Sequence, residues 1–112
     1  MKDWTQGYVA DVPYTYGFLK EMAPSHIHFA MVAKGVRPPQ ALQEGVAYCE
    51  LGFGQGYGLN VLAAANPTGT FWGTDFNPAH AAGARLLADE AGLSNVHVVD
   101  DAFEGFLARD TP

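Results

Sequence analysis

The sequence has 112 residues, which is enough for one domain with a buried core but short for a complete enzyme. Hydrophobic residues make up 48% of the chain and charged residues 16%, a composition typical of a folded rather than a disordered chain. Six Lys and Arg against twelve Asp and Glu give a net charge of −6. Such a chain lacks the basic surface that sequence-independent phosphate binding needs, so we expect no nucleic-acid partner.

Neither a signal peptide nor a membrane span is evident in the sequence, because no apolar run approaches the roughly 18 residues that would cross a bilayer. The single cysteine, Cys49, cannot form an internal disulfide. We therefore expect a cytoplasmic protein with no membrane contact. Because Cys49 lies in an apolar run, we expect it to be a small buried hydrophobic residue rather than a nucleophile.

Residues 1–45 form an N-terminal leader. Within it, "SHIHFAMVAK" favours a short helix over residues 25–34 that is closed by Gly35. His26 and His28 are two apart, so they point away from one another on a helix, and we predict no metal site. The aromatic residues upstream of this helix are expected to pack within the leader: Tyr14, Tyr16 and Phe18.

Residues 46–112 alternate between strand-like and helix-like segments. Strands are predicted at 46–51, 70–75 and 96–100. Helices are predicted at 57–65 and from Pro78 to about Ala91, the second with Asn77 as N-cap and Gly92 as C-cap. The residues from 102 to 107 also show helical spacing. This alternation indicates βαβ units, hence an α/β fold with a parallel sheet and right-handed crossovers.

The turn after the first strand is rich in glycine, in the stretch "ELGFGQG" from Glu50 to Gly56. A strand that turns directly into a helix aims unpaired N–H groups at whatever lies above it, which favours an anionic group. Glycines permit positive φ and close approach of the backbone to a ligand. The Walker pattern fails because no Lys-Ser or Lys-Thr pair follows, and G-x-G-x-x-G fails because its third glycine would fall on Tyr57 or Leu59.

The remaining pattern, acidic-x-G-x-G-x-G, resembles the first motif of class I S-adenosylmethionine-dependent methyltransferases. "GTDFNP" resembles the second-strand motif of that family, and "VVDDAF" resembles its third-strand motif. The resemblance implies a Rossmann-like three-layer sandwich that binds S-adenosyl-L-methionine. It also implies that Asp75 binds the ribose hydroxyls, that Phe76 lies beside the adenine and that Asp101 accepts from the adenine amino group. The full set of implied cofactor-binding residues is Glu50, Gly52, Phe53, Gly54, Gly56, Asp75, Phe76, Asp101 and Ala102.

Several points stay open at the level of the sequence. Chemistry alone does not separate Asp100 from Asp101, and one of the two is expected to cap the next helix. His80 lies in the first turn of its predicted helix, where a positive charge is disfavoured, so we expect it to be neutral and structural.

The catalytic residues and the methyl acceptor cannot be assigned from this sequence. The sheet of the family has seven strands, its acceptor-binding residues commonly follow the fourth and later strands, and only about three strands are predicted here. We therefore expect a partial domain at 46–112 within a longer protein, with residues 110–112 as a connector.

Two other functions compete with this interpretation. One is a nicotinamide-dependent oxidoreductase, with Asp75 on the ribose, although the missing third glycine argues against it. The other is a non-catalytic module that associates through its first strand, because that strand would be an exposed apolar edge.

Overall fold

The computed structural model describes residues 16–109. The leader contains a 3₁₀ turn at Lys20–Met22, the helix α1 at Pro24–Ala33 and a second 3₁₀ turn at Gln40–Leu42. The repeating part then follows as β1 (Ala47–Leu51), α2 (Tyr57–Ala65), β2 (Thr70–Thr74), α3 (Pro78–Glu90), β3 (Val96–Val99) and α4 (Phe103–Leu107). These elements confirm the predicted helices and strands with nearly the same bounds. Tyr14 and residues 110–112 lie outside the described residues.

The strands form one parallel sheet in the order β1-β2-β3. Phe71 of β2 pairs with Tyr48 of β1 and with Val96 of β3. Parallel neighbours need a crossover between them, and α2 and α3 provide the two crossovers. The predicted α/β, Rossmann-like fold is therefore confirmed, and β1 is an edge strand of the described sheet.

The hydrophobic core lies between the sheet and the helices α2 and α3. One face of α2 is apolar and buried, since Leu59, Leu62 and Ala63 are each at most 3% exposed. They pack with Phe71 of β2 in a single cluster. Tyr48 meets the ring of Phe71 edge-on at a centroid distance of 5.1 Å. This packing holds the carboxyl ends of the strands in fixed positions.

The opposite face of the sheet carries Cys49, Trp72 and His97, which are paired across the three strands. The ring of Phe106 in α4 lies 6.5 Å from that of Trp72, so α4 reaches this second face. Cys49 is exposed, and the prediction that it is buried was wrong. Side chains alternate between faces along a strand, so Cys49 points away from the helices that cover its neighbour Tyr48.

The predicted N-cap of α3 is confirmed, whereas its C-cap is Ala91, one residue before the predicted Gly92. The Oδ1 atom of Asn77 accepts from the N–H of Ala79 at 3.0 Å, and Gly92 follows the helix with φ 69°. The prediction that Asp100 or Asp101 caps the next helix was wrong. The N-cap of α4 is Ala102, and no side chain of the described residues caps it. Asp101 instead turns its carboxylate to Arg109.

The leader is anchored beside β1. The hydroxyl of Tyr48 donates to the backbone carbonyl of Met22 at 3.1 Å. Burial is the main cause that raises the pKa of the Tyr48 hydroxyl, and the nearby Glu50 and Cys49 raise it further. The hydroxyl therefore stays protonated and can donate. Across residues 16–109, no helix combines the length and the apolar character needed to cross a membrane.

Candidate functional site

A cleft of about 1020 Å³ opens at the carboxyl ends of the strands. In open parallel sheets this edge is the usual place for a ligand. The cleft has three walls, which are the leader, the glycine turn with the start of α2, and the loops after β2 and β3. The described lining residues are Gly17, Phe18, Leu19, Met22, Glu50, Gly52, Phe53, Gly54, Gln55, Gly56, Tyr57, Gly58, Leu62, Asp75, Phe76, Asn77, His80, Ala102, Phe103 and Glu104.

All three glycines of the turn adopt the left-handed conformation. Their φ angles are 79° at Gly52, 64° at Gly54 and 76° at Gly56, which confirms the expectation of positive φ. Their roles differ, because a Cβ on Gly56 would clash with Ala84 of α3, whereas a Cβ on Gly52 would meet nothing closer than Phe103 at 3.8 Å. Gly56 therefore serves helix packing, and Gly52 leaves space on the cleft side.

The start of α2 is open toward the cleft. Its N-cap is Gly56, and among the described residues no side chain caps this end. The N–H groups of the first turn have no intrahelical acceptor, and the helix dipole adds positive character there. Tyr57 and Gly58, the first two residues of the helix, both line the cleft. This end of α2 is suited to a carboxylate or another anion.

Glu50 brings a half-buried carboxylate to the cleft. It lies on the same face of β1 as Tyr48, so its side chain points to the side of the sheet that α2 covers. Its Oε2 atom is buried and has no hydrogen-bond partner among the described residues. Desolvation by burial raises the pKa of this carboxyl. A ligand with an N–H or O–H donor would supply the missing partner.

Asp75 is a buried carboxylate in the wall of the cleft, and both of its oxygens accept hydrogen bonds. It is 6% exposed and follows β2 directly. Its Oδ2 accepts from the N–H of Gly54 at 2.9 Å, and its Oδ1 accepts from the N–H of Asn77 at 3.0 Å. Nδ1 of His80 lies 3.5 Å from the same Oδ1. The carboxylate thus ties the glycine turn to the end of β2.

The two aromatic residues of the implied cofactor set are placed differently. The ring of Phe53 belongs to the buried core cluster, so this residue meets the cleft at the base of the turn. Phe76 is half-buried in the cleft wall next to Asp75. A flat aromatic surface of this kind can support a purine ring.

The loop after β3 contributes Ala102 to the cleft, but Asp101 is not among the described lining residues. The Asp101 carboxylate accepts from Arg109 at 2.7 Å and 2.8 Å, and its backbone carbonyl accepts from the hydroxyl of Thr74. Asp100 is exposed. The contact between Asp101 and an adenine stays a prediction. For that contact, the carboxylate would have to release Arg109 or accept from Arg109 and the adenine together.

Several lining residues were not among the cofactor-binding residues that the sequence predicted. Phe18, Leu19 and Met22 bring the leader over the cleft, and His80 joins its wall from α3. The aromatic character of the leader was the one available signal, and it equally predicted packing within the leader. Their positions depend on long-range contacts such as the bond from Tyr48 to Met22. Over residues 16–109, no group of three or more His, Cys, Asp or Glu is placed to hold a metal ion.

Comparison with known proteins shows the fold and leaves the family open. No protein-family model matches the chain. The chain is 45% identical over 109 residues to the uncharacterized protein sll1526 of Synechocystis sp., a match that covers 97% of this chain and 21% of that protein. It therefore spans about a fifth of the length of this relative.

Solved structures with a similar fold include two methyltransferases. PKMT2 from Rickettsia typhi in complex with AdoHcy has a TM-score of 0.69 at 21% identity, covering 77% of this chain and 16% of that one. Coclaurine N-methyltransferase bound to N-methylheliamine and SAH has a TM-score of 0.50 at 15% identity, covering 77% of this chain and 25% of that one. At these identities the likeness is one of fold, and the α/β fold seen here is one that methyltransferases use.

Proposed function

We propose that this chain is the cofactor-binding portion of an S-adenosylmethionine-dependent methyltransferase, acting on an acceptor that is still to be identified. The observation that carries the proposal is the convergence of Glu50, the glycine turn and Asp75 on one cleft at the carboxyl ends of the strands. The similar fold of PKMT2, solved with AdoHcy, supports it.

The chemistry of the cleft fits the two ends of this cofactor. The uncapped start of α2 suits the carboxylate of the methionine portion, and the unpartnered Oε2 of Glu50 suits a donor such as its amino group. Asp75 suits the vicinal hydroxyls of the ribose, and Phe76 suits the face of the purine. Each of these residues would bind or orient the cofactor.

The charge of the cleft also favours a cation. Its described lining contains the carboxylates Glu50, Asp75 and Glu104 and no Lys or Arg. When bound, the cofactor supplies a methyl group that its sulfonium charge already activates for displacement. The chain then contributes proximity, orientation and exclusion of water around that group. A negative cleft stabilises the bound sulfonium.

Calorimetric titration of the full-length protein with S-adenosylhomocysteine tests the proposal. We expect saturable binding, because this ligand keeps the carboxylate, amino, ribose and purine groups that the cleft is suited to bind. Absence of any heat of binding at millimolar ligand would contradict it. A parallel titration with NADH, followed by fluorescence, separates the oxidoreductase alternative, which requires tight NADH binding.

A further inference from the structure

His80 lies behind Asp75, on the first turn of α3, and is only 7% exposed. Among the described residues, two polar side chains lie beside its ring. Nδ1 lies 3.5 Å from Oδ1 of Asp75, and Nε2 lies 3.3 Å from Nδ2 of Asn77. The imidazole therefore bridges the N-cap of α3 and the carboxylate that closes the glycine turn.

The N-cap determines which nitrogen of His80 carries the proton. Oδ1 of Asn77 is held by the N–H of Ala79, so the Asn77 side-chain atom that faces His80 is the donating amide nitrogen. Nε2 of His80 must then accept. A neutral imidazole that accepts at Nε2 carries its hydrogen on Nδ1, the atom that faces Asp75.

Among the described residues, three groups therefore face the Asp75 carboxylate: two backbone N–H donors and the Nδ1–H of His80. The N–H of Gly54 comes from the glycine turn, the N–H of Asn77 from the loop after β2, and the Nδ1–H of His80 from α3. At 3.5 Å the last of these is an electrostatic contact rather than a full hydrogen bond. Among the described residues, Oδ1 faces Asn77 and His80, whereas Oδ2 faces Gly54 and keeps a lone pair for a further donor.

We propose that His80 is a positioning residue for the ribose of the bound cofactor, acting through Asp75. Its Nδ1–H holds Oδ1 so that Oδ2 stays directed at the ribose hydroxyls. The inference rests on the proposed function of the cleft, and it assigns to His80 a role beyond packing. A carboxylate that is oriented before the ligand arrives loses less conformational freedom on binding.

The test compares two ligands and three variants of the full-length protein. The ligands are S-adenosylhomocysteine and its 2′,3′-dideoxy analogue, which lacks both ribose hydroxyls. His80→Phe keeps a ring without an N–H group, His80→Asn places an amide near the Nδ1 position, and His80→Gln places one near Nε2. We expect His80→Phe to weaken S-adenosylhomocysteine binding by about tenfold and to leave binding of the analogue unchanged.

His80→Asn should retain wild-type affinity for S-adenosylhomocysteine, and His80→Gln should behave like His80→Phe. Equal losses for the two ligands, or no loss for either, would overturn the role of His80. If the phenylalanine variant does not fold, the contrast between the Asn and Gln variants decides the question. Failure of the wild-type protein to bind S-adenosylhomocysteine would instead overturn the proposed function itself.

A spectroscopic measurement on the wild-type protein is independent of affinity. Side-chain ¹⁵N chemical shifts of His80 distinguish its two neutral tautomers. We expect the Nδ1–H form, and we expect Asn77→Ser, which keeps a capping oxygen but removes the donor to Nε2, to lose this preference. Detection of the Nε2–H form in the wild-type protein would contradict the proposed arrangement.

Discussion

Gly54 has a left-handed backbone conformation and lines the cleft. Its φ of 64° is unfavourable for a side chain with a Cβ, and its N–H binds Asp75. We expect Gly54→Val to lower the affinity for S-adenosylhomocysteine more than tenfold, because the branched side chain enters the cleft. The strain should cost about 1–3 kcal/mol of unfolding free energy. Calorimetry and urea denaturation measure the two effects.

Gly92 offers a matched control for this substitution. It has a similar φ of 69°, a Cβ there would meet nothing within 4 Å, and it does not line the cleft. Gly92→Val should therefore cost similar stability and leave binding intact. Equal affinities for the Gly54 and Gly92 variants would mean that the glycine turn serves the fold rather than the ligand.

We expect the carboxylate of Glu50 to lower the stability of the fold and to strengthen binding of the ligand. Because desolvation raises the pKa of its carboxyl, the folded state disfavours the charged form, and this penalty is present at neutral pH. Glu50→Gln should raise the stability at pH 7. That gain should disappear as the pH falls below about 4.3, where the carboxyl is protonated in the folded and unfolded states alike.

The same variant should weaken S-adenosylhomocysteine binding by about tenfold, since an amide is a poorer partner for an ammonium group. Glu44→Gln is the control, because Glu44 is exposed and does not line the cleft. Thermal unfolding at pH 4 and pH 7, with calorimetry at pH 7, measures both effects. A Glu50→Gln protein that is less stable at pH 7 would contradict the assigned cause of the pKa shift.

At the scale of elements, the contact between α2 and α3 depends on Gly56. A Cβ on this residue would overlap Ala84, and Asn60 joins the same two helices by donating to the carbonyls of Gly56 and Ala84. We expect Gly56→Ala to lower the unfolding free energy by about 1–3 kcal/mol, since overpacking adds to the cost of its φ of 76°.

A compensating substitution separates the two causes. In the double variant Gly56→Ala with Ala84→Gly, the overlap is removed, whereas the positive φ remains. Urea denaturation should therefore show partial recovery of stability, after allowance for the cost of glycine within α3 as measured in Ala84→Gly alone. No recovery beyond that allowance would mean that the steric contact with Ala84 is unimportant.

At the scale of the whole molecule, β1 is an edge strand within residues 16–109, and its second face carries exposed side chains, which favours further pairing. Cys49 and Leu51 are both exposed on this face. An edge strand with apolar neighbours is a site of association. We therefore expect the isolated 112-residue chain to associate as its concentration rises to tens of micromolar, and Cys49→Lys to reduce that association. Sedimentation velocity measures it.

Position 86 provides the control for this experiment, because Leu86 is 59% exposed on α3, away from β1. Leu86→Lys adds the same charge and should leave the association unchanged. A chain that stays monomeric throughout, or an equal effect of both lysines, would argue against pairing through β1.

Local patterns in the sequence were sufficient to predict the helices, the strands and the glycine turn. Asn77 caps α3 by accepting from Ala79, two residues further along the chain, and Gly92 adopts a left-handed φ just after the helix. Both features therefore follow from neighbouring residues alone. The positive φ of Gly54 is likewise a local property. Strand and helix periods then specify which side chains face the core, as at Leu59 and Leu62.

Contacts between distant residues decided the remainder. Asp101 pairs with Arg109 instead of lining the cleft, and Cys49 is exposed because the described helices that cover Tyr48 pack on the other face of the sheet. Phe18 and His80 join the cleft only because the leader and α3 are carried to it by packing. Such contacts join residues that are far apart in the sequence, so no helical or strand periodicity predicts them. The sequence by itself therefore determined the elements and the glycine turn, and the tertiary structure determined which side chains meet around the cleft.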